Sequence, residues 1–461
     1  MLDTTCHVFQ GEGGVTAVPT AAALTFLREL VASGGDQSSY ATPYGQVYFF
    51  NHPDHAQAVL QSRNFVRPPL MRSLLGDGLL TSEAALWKSQ RRLLQPAFHK
   101  PCVHAMLPGI HDALADFLPR WEQASDSGQP VEVAASMRRL TLDVILRCLF
   151  GVRFEEELET MGAALTVVIH DLGGLTATLL LEPHLVTPRR NAEFQQALKT
   201  VDDIIQRIIT HHRALPPGSQ DGVNILNLLH SAGSSSGEPL SEKLVRDEVA
   251  SMIVGGHETI ANVLSWIWEV LSLRPDLAAG LHAEVDALSD QRPLTHADLA
   301  HLPLTLGIFK EALRLFPPVW FMVRTAVEPC ELGGVRLPAG AQVMISPYTL
   351  HRHPDFWPDP EMFDPSRYTV EAEAARPRTA WIPFASGRHL CLGLPLAMLE
   401  GPLILATLAR RFAVQPLAGD SPPLAASPFI TLRQRTGLPA FVVSRTPSIS
   451  SPVSHPACVL R

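Results

Sequence analysis

Two short stretches of this chain set reactive side chains where backbone geometry could use them. In "FASGRHLCLG", residues 384–393, Cys391 stands between Gly387 and Gly393, with Arg388 and His389 just before it. The stretch gives way to "LGLPLAMLEGPLILATLARRF", a buried-helix pattern with Pro395 in its first turn. A cysteine at a helix N-terminus meets unpaired N–H groups and the positive end of the macrodipole, which favour an anionic sulfur. Cys391 is therefore a candidate thiolate ligand, and the flanking glycines let the backbone approach something flat and bulky. Taken alone, a cysteine is as readily a small core hydrophobe. The second stretch, "GGHET" at 255–259, puts two adjacent glycines inside a helical pattern, at a cost of about 1 kcal/mol each relative to alanine. Either a ligand comes close there or a neighbouring helix does.

Other chemistries find no support. "GEGGVTA" near the start lacks the third glycine and the preceding strand of a dinucleotide fingerprint, and no P-loop occurs. "HETIA" begins like a zinc-protease helix but has Ala261 where the second histidine belongs. The "HRH" at 351–353 and "HH" at 211–212 read as surface or capping histidines. Thirty-seven basic against 45 acidic residues give a net charge of −8, which argues against general nucleic-acid binding. Six cysteines without a C-x-x-C pair suit a reducing compartment, so a cytoplasmic location is expected. The N-terminal "MLDTTCHVFQGEGGVTAVPT" is polar and glycine-rich, with no signal-peptide or membrane-anchor pattern.

The elements that must position these residues are mostly helices. "HAQAVLQS", "LWKSQRRLLQPAF", "MLPGIHDALADFLPRWEQA", "MRRLTLDVILRCLFG", "FQQALKTVDDIIQRIITHHRAL" and "EKLVRDEVASMIVGGHETIANVLSWIWEVLSL" all repeat apolar residues at three- and four-residue steps. Strand signals are confined to "GQVYFF", "CELGGVRLPAGAQVMIS" and "FITLRQRTGLPAFVVS". The expected fold is mainly α with small β-sheets, since strands flank the helices instead of alternating with them. "PPGSQDG" and "SAGSSSGEP" read as surface loops, and residues 446–461 as a disordered C-terminal tail.

With these residues in view, the chain resembles the cytochrome P450 family. The family's haem-ligand loop, F-x-x-G-x-[R/H]-x-C-x-G, is matched by Phe384, Gly387, His389, Cys391 and Gly393. "EALR" at 311–314, "FDPSRY" at 363–368, "GGHET" at 255–259 and "WKSQR" at 87–91 extend the resemblance from about residue 40 to about residue 440. The resemblance implies a single large domain, residues 1–445, around a buried haem b (iron protoporphyrin IX). In it Cys391 ligates the iron, Phe384 covers the sulfur side of the ring, and Trp87, Arg91, Arg324 and His389 meet the propionates. Glu311, Arg314 and Arg367 form a buried ion network with a structural role. Gly255 lets the distal helix pass over the haem, and Glu258 and Thr259 form the proton path, with Thr259 returning its hydroxyl to the carbonyl four residues earlier. Ile260 departs from the commonest pattern, which has a second Thr or Ser there.

The implied activity is that of a soluble, bacterial-type monooxygenase, expected to be a monomer, inserting one oxygen atom of O2 into an organic substrate. Electrons come from a separate ferredoxin or flavodoxin with its reductase, docking by Lys88, Arg92, Lys100 and Arg388. A peroxide-driven peroxygenase of the same fold and a non-catalytic haem sensor stay open as alternatives. The segments that meet substrate in the family offer Leu70, Met71, Leu79, Val254, Gly255, Val319, Trp320, Phe321, Phe429 and Ile430, an apolar lining for a mid-sized terpenoid, fatty acyl or polyketide skeleton of secondary metabolism. Residues 171–186 are expected to form a lid, and Arg67 and Arg72 either hold a carboxylate at the mouth or face solvent.

Overall fold

A computed structural model describes residues 7–9, 23–42, 45–68, 75–181, 192–215, 224–236, 240–288, 292–417 and 424–445. The helical periodicity becomes Pro53–Gln61, Ala84–Leu94, Leu107–Ser127, Val133–Phe150, Ala192–Ala214 and Glu242–Leu273. The last of these, hereafter the central helix, is buried on most of its surface, with Val263, Trp266 and Ile267 fully enclosed. The C-terminal helix, Leu394–Arg411, follows Cys391 directly and has Gly393 as its N-cap.

One six-stranded sheet lies beside the helices, in the order His7–Phe9, Gln37–Thr42, Gly45–Phe50, Gln342–Ile345, Met322–Ala326, Phe65–Val66. Met322–Ala326 pairs antiparallel with Gln342–Ile345, Arg324 opposite Val343. Because strand side chains alternate, Met322, Arg324 and Ala326 share the buried face, so the strand carries a cation inward. Strand Gln37–Thr42 has a polar sequence that gives no apolar alternation, yet Ser38 and Ser39 are buried inside the sheet. "SAGSSSGEP" differs from the expected loop: helix Ile225–Ser236 runs through its first six residues. His351 and His353 are buried, not at the surface, and His353 Nε2 lies 2.8 Å from Asp36 Oδ1. The expected lid, 171–186, is helical as far as Leu181, and its remainder, like the 446–461 tail, lies outside the described residues. Among the described residues no helix is long and apolar enough to cross a membrane.

The two adjacent glycines of the central helix turn out to serve different neighbours. A Cβ at Gly256 would stand 2.7 Å from Ile145 Cδ1 of the Val133–Phe150 helix, so this glycine allows the two helices to close. A Cβ at Gly255 would meet nothing within 4 Å. One glycine belongs to helix packing, and the other sits on an open face.

Of the buried carboxyls in this helical body, two have pKa values raised into the neutral range. Glu400, on the C-terminal helix, has no hydrogen-bond partner for Oε2, and burial pushes its pKa up to about 8. Glu248, on the central helix, is pushed up to about 7 by burial, helped by the charge of Asp247 and opposed by the Leu79 N–H it accepts. A carboxyl with a raised pKa holds its proton more tightly folded than unfolded, so stability is lost as pH rises towards the folded value. His351 and His389, pushed down to about 3, and His282, pushed down to about 4, give the opposite slope. Their unfolded forms finish titrating near the ordinary histidine value of about 6.5, leaving the carboxyls to act above it. Between about pH 6.5 and 8, unfolding free energy should therefore fall, and Glu400→Gln should remove about 1–2 kcal/mol of that fall. Urea unfolding of wild type and variant at both pH values checks this; parallel pH dependences would show that Glu400 does not titrate there.

Candidate active site

The stretch leading to Cys391 has little regular structure, and a buried ion pair gathers it. Glu311 and Arg314 lie three residues apart on helix Pro303–Leu315, both fully buried, with two contacts of 2.7 Å. Arg314 then donates to the carbonyls of His351, Pro360 and Met362 at 2.9, 2.6 and 2.9 Å. Glu311 accepts from the Asp364 N–H at 2.9 Å and the Tyr368 hydroxyl at 3.2 Å. Arg367, the expected third member, brings Nε to 3.4 Å from Glu311 Oε1 and donates from Nη2 to Asp359 O at 3.0 Å. His351 is a fourth member that sequence reasoning missed. Its Nδ1 lies 3.1 Å from Arg314 O, and its Nε2 accepts the Ile382 N–H at 2.8 Å, which requires the neutral ring with the proton on Nδ1. Burial pushing its pKa to about 3 agrees.

Beyond Ile382 the chain turns into the cysteine loop. Cys391 N–H donates to Phe384 O at 2.9 Å and closes it. Gly387 has φ +66°, and a Cβ there would lie 2.3 Å from Leu60 O, so the loop admits only glycine at this position. Phe384 packs against the core with its ring near that of Trp381. Cys391 is solvent-accessible, yet burial among protein atoms pushes its thiol above the ordinary value. Both hold for a side chain that fronts a hollow within the protein. The N–H groups of Gly393 and Leu394 and the charge of Arg91 pull the thiol back down without cancelling burial. The helix N-terminus alone therefore does not ionise this sulfur; a coordinated cation would.

Beside the loop is an excess of positive charge. His389 stacks on Trp87, ring centroids 4.3 Å apart, and is held neutral, its pKa pushed to about 3 by burial and then by Arg67, Arg324, Arg388 and Arg91. Arg324 is so enclosed that its own pKa falls to about 10. Against these arginines stands Glu83, bonded to Arg67 and 3.6 Å from His389 Nε2. Buried Nδ1 of His389 and Nε of Arg388 have no hydrogen-bond partner. Arg91 reaches from helix Ala84–Leu94 to Leu390 O at 2.8 Å, tying that helix to the loop. Arginines gathered with unsatisfied donors fit a ligand carrying carboxylates. Arg67 belongs here: besides Glu83 it donates to Leu80 O at 2.8 Å and to Ser82 O, so it does not stand at the mouth as a free substrate anchor. Arg72, Leu70 and Met71 lie outside the described residues.

Across the open face, Thr259 Oγ1 donates to Gly255 O at 3.0 Å, as expected. Glu258 is buried, and its Oε1 accepts from Asn262 Nδ2 and Thr431 Oγ1, each at 3.3 Å. Neither Asn262 nor Thr431 was expected at the site: Asn262 is one helical turn from Glu258, but Thr431, which joins the two, is 173 positions from Glu258 in sequence. Val254, Phe321, Phe429 and Ile430 are half-buried, Leu79 is buried and Val319 is exposed. Trp320 differs from the expected lining: it is fully buried and spends its indole N–H on Phe429 O at 2.7 Å, supporting the turn instead of facing the hollow.

An accessible sulfur and a cluster of arginines with unsatisfied donors beside the cysteine loop suit a metal group that carries carboxylates. The chain belongs to the cytochrome P450 family, whose profile matches residues 27–439. It is 34% identical over 410 residues to cyclooctatin synthase of Streptomyces melanosporofaciens, covering 86% of each chain. It is 32% identical to cyclooctat-9-en-7-ol 5-monooxygenase of the same organism, again over 86% of each, and 31% identical to pentalenene oxygenase of Streptomyces avermitilis, over 82% of each. The crystal structure of the heme domain of cytochrome P450DA superimposes with a TM-score of 0.80 at 26% identity, over 93% of this chain and 94% of that one. The protein is a cytochrome P450 monooxygenase with a haem-thiolate cofactor. The residues present fit that group: an open sulfur, unpaired basic donors, and a helix face with room beside Gly255.

Cys391→His should abolish the red-shifted Soret band of the reduced carbonyl complex, whereas Cys102→Ala, Cys148→Ala and Cys330→Ala keep it. Gly387→Ala should cost about 2–4 kcal/mol of stability through its φ and the Leu60 clash, with weaker haem retention. Carbonyl spectra and unfolding midpoints decide both; an intact band in Cys391→His would overturn the ligand assignment.

Proposed function

We propose that residues 1–445 form one haem b domain that oxygenates a mid-sized, terpenoid-type substrate, using O2 and electrons from a separate ferredoxin or flavodoxin system. The observation that carries this reading is the Thr259 hydroxyl on Gly255 O, placed on an open stretch in the middle of a helix whose neighbouring turns are largely buried. The Thr259 oxygen keeps its lone pairs free to accept a hydrogen bond from the open side, so it can receive and pass on a proton. Glu258, adjacent in sequence, is the acid that feeds it. Ile260 offers no second hydroxyl, which concentrates proton delivery on Thr259. When bound, a thiolate-ligated haem supplies the oxygen-activating redox chemistry.

Arg91, Arg324, Arg388 and His389 hold the carboxylates of the group, and Trp87 backs His389. Cys391, whose N–H is held by Phe384 O, is its ligand, and Gly387 and Gly393 keep the backbone low beside it. The substrate class rests on the apolar side chains Val254, Phe321, Phe429 and Ile430 around the open face, where an unpaired polar ligand would lose hydrogen bonds. Pentalenene and cyclooctat-9-en-7-ol, named for the relatives, are by nomenclature a cyclic alkene and alkenol. The described cysteines are free thiols, in keeping with a cytoplasmic setting. Lys88, Arg92 and Lys100 are exposed near the cysteine loop and form a basic face for an acidic electron donor.

Thr259→Ala should bind an apolar probe within about twofold of wild type but release hydrogen peroxide in place of product, cutting product per NADPH roughly tenfold or more. Spin-shift titration and product-to-NADPH ratios measure the two halves, and unchanged coupling would remove Thr259 from the proton path. Reversing Lys88 and Arg92 to Glu should slow reduction by an acidic ferredoxin roughly tenfold and flatten its salt dependence, with probe affinity unaltered. Stopped-flow reduction at low and high salt checks this; unchanged rates would return these residues to plain surface charges.

A further inference from the structure

Glu258 is gripped by a turn far along the chain. The strands Ala426–Pro428 and Leu432–Gln434 form a hairpin, Pro428 opposite Leu432, with Phe429 and Ile430 at its half-buried tip. The tip is anchored on one side, by the Trp320 indole on Phe429 O at 2.7 Å and by the Leu432 N–H on Pro318 O at 2.9 Å. At its base, Thr431 Oγ1 donates to Glu258 Oε1 at 3.3 Å and accepts from Asn262 Nδ2 at 3.0 Å, while Asn262 Nδ2 also reaches Glu258 Oε1 at 3.3 Å. The three side chains close a triangle, and each is less than a tenth exposed. Arg433, next on the hairpin, lays its guanidinium 4.0 Å over the Phe429 ring and feels the charge of Glu258. The tip and the carboxyl are therefore one mechanical unit.

We propose that Thr431 and Asn262 are positioning residues that couple the Phe429–Ile430 tip to the carboxyl of Glu258, so that an occupant bearing on the tip sets the direction in which that carboxyl points. The proposal rests on the reading of Glu258 as the acid beside Thr259. Contacts of 3.3 Å are at the long limit of a hydrogen bond, so a displacement of the tip by a few tenths of an ångström breaks them. A carboxyl that loses its donors in a dry interior is penalised, and the same helix has an open stretch at Gly255 and Thr259 towards which it can turn. Substrate contact at the tip thus turns the acid towards Thr259 when the pocket is filled. Coupling of this kind is reciprocal: whatever a ligand does to Glu258, Glu258 does to the ligand.

Reciprocity gives a test that needs no turnover. In the haem-loaded protein, imidazole supplies the ring alone and 1-dodecylimidazole the same ring with a long apolar tail that tests contact with the tip, and both are titrated by their Soret shift. Thr431→Val and Asn262→Ala should each leave imidazole affinity within twofold and change dodecylimidazole affinity roughly fivefold or more. Glu258→Gln should change it in the same ligand-selective way, the Thr431→Val, Glu258→Gln double variant should add nothing further, and Thr431→Ser should restore wild-type behaviour. Hydrogen exchange of the amides at 429–432 should respond to dodecylimidazole in wild type and lose that response in Thr431→Val. Equal effects on both ligands, no effect on either, or additive single variants would overturn the coupling. Should Glu258→Gln keep the wild-type ratio of water to hydrogen peroxide per NADPH while the ligand coupling stands, the acid reading of Glu258 fails and the mechanical link survives.

Discussion

The Glu311–Arg314 pair is the constraint on which the cysteine side of the molecule depends. Two fully buried charges cost several kcal/mol each to desolvate, and removing one partner of such a pair typically costs about 3–5 kcal/mol. The pair is worth keeping because Arg314 uses its remaining donors on three carbonyls from a stretch with almost no ladder of its own. Without the guanidinium those carbonyls would be buried and unpaired, and the path from His351 to Ile382 would have nothing to hold it. His351 repeats the device in neutral form, one ring nitrogen towards Arg314 O and the other accepting the Ile382 N–H. Cys391 lies nine residues further on. Its place is thus set by charges on a helix that never touches it.

The electrostatics beside His389 follow a different logic. Arg67, Arg91, Arg324 and Arg388 crowd a ring that burial keeps neutral, with Glu83 as the counter-charge. Such a cluster is costly for the protein alone: burial first, and then the charges of Arg67 and Arg388, lower the pKa of Arg324. Carboxylates of a bound group would relieve the repulsion and satisfy the orphaned nitrogens, which would link binding to folding. The strain is placed where the ligand cancels it.

Much of this was legible from residue types and spacing. Helical periodicity located the long helices because apolar stripes must face a core, and the glycine-flanked Cys391 and the Gly255–Gly256 pair stood out as positions where backbone economy had been given up. What each glycine served was not legible, since packing against Ile145 and an open face cost the same in sequence. The strand Gln37–Thr42 escaped because the consecutive residues it buries, Ser38, Ser39 and Tyr40, include two serines and give no apolar alternation. His351, Arg67, Asn262 and Thr431 escaped for a common reason: each acquires its role from a partner brought in by the fold, such as the His351 bond to Ile382 or the Thr431 bond to Glu258. Trp320 misled in the opposite sense, its apolar bulk suggesting a pocket wall when its N–H had a structural use.

The two sides of the site differ in how firmly their polar groups are held. On the cysteine side, the Arg314–Glu311 pair and the bonds from Arg314 to three carbonyls are 2.6 to 2.9 Å long, charge-assisted and enclosed, and Gly387 admits no side chain against Leu60. Charge-assisted bonds of that length are roughly twice as strong as neutral ones and leave little freedom. On the central-helix side, the Glu258 carboxyl is held by two bonds of 3.3 Å from neutral donors, and Gly255 leaves room beside the helix. A ligating sulfur must keep its distance from the metal through every cycle, whereas groups that pass protons must form and break hydrogen bonds as the pocket fills. Rigid ion pairs therefore belong behind Cys391, and long, exchangeable bonds belong around Glu258 and Thr259.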